Sequence, residues 1–124
     1  MQKVLVVVDM QNDFIDGALG TKEAVAIVPG VKEKIKNFDG VVIFTRDTHE
    51  TNYLDTQEGK KLPVPHCIRN TEGWQIRSEL DALRKTEPID KETFGSTDLA
   101  GELVAMNEDN EIESITFVGL CTDI

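Results

Sequence analysis

Val4-Leu5-Val6-Val7-Val8 runs unbroken and apolar until Asp9 interrupts it. A half-exposed strand alternates apolar with polar residues, whereas an unbroken, β-branched run suits a strand covered on both faces. The pattern returns in Val41-Val-Ile-Phe-Thr45 and Ile115-Thr-Phe-Val118, and Pro88-Ile89-Asp90 offers a shorter strand. Such strands belong to parallel sheets, and parallel strands need crossovers. Helical spacing supplies them: Val31, Ile35 and Phe38 in a helix that Pro29 opens; Ile76, Leu80 and Leu83; and Leu99, Leu103 and Met106 after the capping candidates Ser96 and Thr97. The expected fold is α/β, a three-layer, doubly wound, mostly parallel sheet of Rossmann-like form.

A chain of 124 residues suffices for one domain and not for two, so residues 1–124 are read as a single domain. Thirteen basic against twenty-three acidic side chains leave a net charge of -10, which repels phosphate backbones and anionic head groups. That excludes nucleic acid and membrane-surface partners. Cys67 and Cys121 are too few for a disulfide scaffold, and the first apolar run is far too short for a signal peptide or a membrane span. A cytoplasmic protein with reduced thiols is expected.

Open parallel sheets bind ligands at the carboxyl ends of their strands, and polar residues stand there in order. Asp9 ends the first run, Asp47 and His49 follow the second, Lys91 follows the third, and Gly119-Leu-Cys-Thr-Asp123 follows the last. From Arg46 to about Thr71 no helical period appears, and loops of that length inside a domain usually carry function. This loop holds both histidines, His49 and His66, together with Asp47 and Glu58. Two imidazoles and two carboxylates suit zinc, iron or manganese; from spacing alone, hydrogen-bonded loop histidines remain equally open.

Val8-Asp9-Met10-Gln11-Asn12-Asp13-Phe14 resembles the opening motif of the isochorismatase-like cysteine hydrolases. Thr45-Arg-Asp47-Thr-His49, Pro65-His66-Cys67, Lys91-Glu-Thr-Phe94-Gly-Ser96-Thr-Asp-Leu99 and Val118-Gly-Leu-Cys121-Thr-Asp123 agree in order, and are most similar to the nicotinamidase/pyrazinamidase branch. The resemblance implies a catalytic Asp9 that exchanges protons with a cysteine nucleophile, and a Lys91 that holds both in place. The nucleophile it implies is not Cys121 but the residue directly after Ile124. The domain is accordingly expected to continue, with final helices and further strand beyond residue 124. Cys121 is implied to act through its backbone N–H, in an oxyanion hole shaped by a cis peptide after Leu120.

Asp47, His49, Glu58 and His66 match the branch's ligands for one divalent ion, zinc foremost, with iron or manganese as substitutes. Phe14 is implied to pack on the substrate ring, with Leu120 beside it, whereas Trp74 is read as packing without a polar partner. The activity implied is cleavage of a small carboxamide, nicotinamide to nicotinate and ammonia, through a cysteine thioester in a homo-oligomer. Two alternatives stand beside it: another amidase of the same kind acting on a ureido or carbamoyl substrate, and a non-catalytic α/β subunit that binds a ligand at the sheet edge. A phosphotransfer role for Asp9 is weak, because Gln11 stands where a second aspartate would be needed.

Overall fold

The computed structural model describes residues 1–61, 63–91 and 97–120, the side chains of residues 57, 58, 97 and 98 excepted. The first apolar run forms β1 (Gln2–Val8), in which Val4 through Val7 are wholly buried. Successive side chains of a strand point to opposite faces. Leu5 and Val7 therefore enter one core cluster and Val4 and Val6 another. After β1 come α1 (Asn12–Ile15), α2 (Lys22–Asn37), β2 (Val41–Asp47), α3 (Gln57–Lys61), α4 (Ser78–Asp81), β3 (Ile89–Lys91), α5 (Thr97–Asp109) and β4 (Ile112–Gly119).

The strands pair in parallel in the order β3-β2-β1-β4. Val28, Val31 and Ile35 of α2 and Leu80 of α4 cover the face of Leu5, Val7 and Phe44. Leu99, Leu103 and Met106 of α5 cover the face of Val4, Val6 and Ile43, which completes three layers. The chain steps outward from β1 to β3 and then crosses back to β4, so the winding reverses between β1 and β4. In doubly wound sheets, ligands bind beyond the carboxyl ends of the strands at that reversal.

Four expectations are corrected. Pro29 does not open its helix: α2 begins at Lys22, where the Thr21 side chain accepts the Ala24 N–H at 3.0 Å. Ala24 and Val28 carry the apolar stripe back through the proline. Pro29 itself faces solvent, where water can satisfy the carbonyl that it leaves without a donor. Ile76, Leu80 and Leu83 all pack against the core, yet only Ser78–Asp81 is helical, and Ile76 instead bridges to Gln11. The long loop contains a 3-10 turn at Tyr53–Asp55 and the helix α3. Finally, β4 is not covered on both faces. Ile115 and Phe117 are 40% and 59% exposed, because β4 is an edge among the described residues and only its Ile112 packs in the α5 cluster. No described helix is long and apolar enough to cross a membrane.

Candidate active site

Asp9 leaves β1 with φ +50, a left-handed conformation uncommon for a residue with a side chain. Its side chain is wholly buried. Thr45, paired with Val8 on the neighbouring strand, donates its hydroxyl to Asp9 Oδ1 at 2.8 Å. Lys91 Nζ lies 2.8 Å from the other carboxylate oxygen. Lys91 is the last residue of β3, so its side chain reaches past β2, a span of roughly 10 Å for two strand spacings. A strand of three residues gives little register of its own; Arg46 reinforces it, holding Asp90 with two hydrogen bonds of 2.6 and 3.1 Å. Burial pushes the Asp9 carboxyl above its ordinary value, against the opposing pull of Lys91 and Thr45.

The second strand ends at Asp47, and there the histidines gather. His49 Nε2 lies 3.0 Å and His66 Nε2 3.5 Å from Asp47 Oδ2. One ligand atom from each of the three residues falls within 4.8 Å of the others. His66 Nδ1 stands 2.7 Å from the Val64 carbonyl, which orients the ring and leaves Nε2 to face the cluster. Although burial works upward on Asp47, hydrogen bonds from His49 and His66 lower it to about 2. His66 is shifted up: burial opposes its charge, but the bond to Asp47 prevails. Two imidazoles and an ionised carboxylate, converging and buried, fit a divalent ion of the zinc, iron or manganese type.

Phe14 comes to the same place. Its ring lies 5.4 Å from His66, in a cluster with Cys67 and Trp74 against which Leu120 packs. Leu120 is anchored by donating its N–H to the Val8 carbonyl at 3.1 Å. Gly119 permits that approach: its φ is +115, and a Cβ there would meet the Val8 oxygen at 2.4 Å. Asp9, Lys91, Asp47, His49, His66, Phe14 and Leu120 thus share one end of the sheet. The Glu58 side chain, the Cys121 backbone and the peptide after Leu120 lie outside the described residues.

Several neighbours had no role at the site assigned from sequence. Tyr53 is 1% exposed and packs edge-on against both imidazoles, at 4.5 and 5.1 Å between ring centroids. Trp74, read as packing without a polar partner, has one: Nε1 donates to Thr48 Oγ1 at 2.9 Å, and the Arg46 guanidinium stacks 3.8 Å from its ring. Thr45 and Gln11 sit inside motifs, and their polarity in or beside apolar runs was the available signal. Cys67 is a buried thiol that burial pushes well up, the opposite of an activated nucleophile.

Residues 3–124 match the family model described as the isochorismatase domain. A nicotinamidase of Saccharomyces cerevisiae is 28% identical over 108 residues, covering 63% of this chain and 50% of its own length. The chain therefore spans about half the length of the curated relative it matches. A crystal structure of the pyrazinamidase of Pyrococcus horikoshii in complex with zinc superimposes with a TM-score of 0.69 at 29% identity, covering 98% of this chain and 72% of that one. An N-carbamoylsarcosine amidase from Thermoplasma acidophilum gives 0.76 at 28% identity, covering 100% and 70%.

Proposed function

Because the chain belongs to the isochorismatase family, we propose that its full-length protein is an amidohydrolase that cleaves a small carboxamide, with nicotinamide the first candidate. The observation that carries the reading is the buried Asp9–Lys91 pair, 2.8 Å across, at the same sheet end as the Asp47, His49 and His66 cluster. The similarity to a nicotinamidase and a pyrazinamidase supports the substrate class. Residues 1–124 would be the amino-terminal part of one domain, and the residue after Ile124 a cysteine nucleophile.

A free thiol, with a pKa near 8.5, is mostly protonated at neutral pH. Asp9 would take that proton, while Lys91 stabilises the thiolate that results. As sulfur bonds to the amide carbon, the carbonyl oxygen becomes an oxyanion, for which the resemblance implies the N–H groups of Cys121 and of the nucleophile as donors; each such donor is typically worth about 2.7 to 4 kcal/mol. Asp9 then returns the proton to the departing nitrogen as the C–N bond breaks, and ammonia leaves. In the second half Asp9 acts as base toward the water that cleaves the thioester.

Phe14 and Leu120 would form an apolar wall for the ring. Asp47, His49 and His66, with Glu58 as a further ligand, would hold the divalent ion, zinc first, which when bound orients the ring and polarises its ligands. We extend the proposal to a cytoplasmic setting and to a homo-oligomer, the latter to be weighed by light scattering.

The test is ammonia release by the full-length protein from nicotinamide, pyrazinamide and N-carbamoyl amino acids. Turnover of the two ring amides is expected. Preference for the carbamoyl compounds would favour the second reading, which the likeness to the carbamoylsarcosine amidase supports. No ammonia from any of them would leave a ligand-binding subunit.

A further inference from the structure

Gln11 and Asp13 stand in the turn after β1 and have no part in the proton transfers assigned to Asp9. Gln11 is wholly buried and its amide is engaged at both ends. Its Oε1 accepts the Asp47 N–H at 2.8 Å, and its Nε2 donates to the Asp47 and Trp74 carbonyls, each at 2.8 Å. A side chain therefore satisfies both backbone groups of the residue whose carboxylate meets the imidazoles, as a neighbouring strand would.

Asp13 holds the other half of the cluster. Its Oδ2 accepts the Cys67 N–H at 2.7 Å, one residue beyond His66. Cys67 has φ +49, a conformation that a residue with a side chain keeps only where its surroundings enforce it. Gly73 completes the fit: a Cβ there would fall 2.2 Å from the Asp13 carboxyl atoms, so only glycine leaves the carboxylate where it is.

From these contacts we infer that Gln11 and Asp13 are positioning residues that set the metal-site geometry from one turn, Gln11 through the Asp47 backbone and Asp13 through the Cys67 backbone beside His66. The inference rests on the metal reading above and extends it to residues that touch neither ion nor substrate. Phe14 follows Asp13 directly, so the same turn sets the ring-facing side chain against His66.

Zinc affinity of the full-length protein decides the matter, read by competition with a chromophoric chelator at a temperature where the metal-free variants are folded. Gln11→Ala and Asp13→Ala should each weaken zinc binding by about tenfold to a hundredfold. Both should also shift the visible bands of the cobalt(II)-loaded protein. Asp13→Asn keeps an acceptor oxygen for the Cys67 N–H and should recover most of the affinity. Should the alanine variants not fold, Gly73→Ala reads the Asp13 contact, because its methyl displaces the carboxylate without removing it. Folded variants with the affinity and cobalt spectrum of the parent would overturn the inference and leave the metal reading standing. A parent protein that takes up no zinc would overturn both.

Discussion

Asp9 and Asp47 are buried carboxyls at the ends of adjacent parallel strands, and their surroundings drive them in opposite directions. At Asp9 burial outweighs one ammonium and one hydroxyl, so the group is held above its ordinary value of 3.8. At Asp47 two imidazoles outweigh burial and the group falls to about 2. Asp9 is the deeper of the two, its side chain wholly buried against 13% exposure at Asp47, and it faces one ammonium and a hydroxyl where Asp47 faces two imidazoles. A carboxyl that gains and loses a proton readily suits acid and base work, whereas one that stays ionised suits holding a cation.

The largest expected effect separates the two ends. Asp9→Asn in the full-length protein should cut amide turnover by about a hundredfold to ten-thousandfold while zinc content stays that of the parent. Normal turnover in that variant would remove Asp9 from the chemistry. His49→Ala should do the converse at the metal end, lowering zinc affinity by more than the hundredfold or so expected when a supporting residue is lost. Unchanged zinc content, measured by atomic emission, would end the ligand assignment.

The opposite shifts also predict opposite slopes of stability with pH in the metal-free protein. Asp47 has a folded value below the 3.8 of the unfolded chain, so its contribution is present above that pH and is lost as pH falls toward 2. Asp47→Asn should therefore cost roughly 2 kcal/mol near neutrality, a deficit that closes in acid. Asp9 has a raised folded value, so its contribution is present below pH 3.8 and is lost as pH rises through the folded value. Asp9→Asn should accordingly gain on the parent as pH rises. Urea unfolding at a series of pH values reads both, and parallel slopes would erase the contrast.

The smallest effect belongs beside Asp47. Trp74→Phe removes the bond to Thr48 and weakens the stacking of Arg46, and should cost about 1 to 2 kcal/mol. It should appear as a lower urea midpoint with an unchanged m-value and unchanged zinc affinity. A loss of zinc would make Trp74 part of the metal support.

Much of the fold was legible because burial leaves a local trace. Val4 to Val7 could be read as a two-sided strand, since a run without polar residues has no face to give to water. Asp9, Asp47, His49 and Lys91 could be placed at one end because in a parallel sheet each carboxyl end points the same way. At β4 the apolar run marks a surface that needs cover, and the described residues leave Ile115 and Phe117 of that edge exposed. Local pattern misled at Pro29, because a stripe of packing residues can carry a helix through one lost hydrogen bond when the proline faces solvent.

What the sequence by itself determined is the set of chemical groups and the end of the sheet they occupy, because strand direction and side-chain alternation follow from local pattern. Only the tertiary structure decided which of those groups touch. Lys91 lies 82 residues from the carboxylate it pairs with, and Gln11 clasps a backbone 36 residues away. Contacts between residues so distant along the chain depend on strand register and on how the loops fold back, and neither is written in any short stretch of sequence.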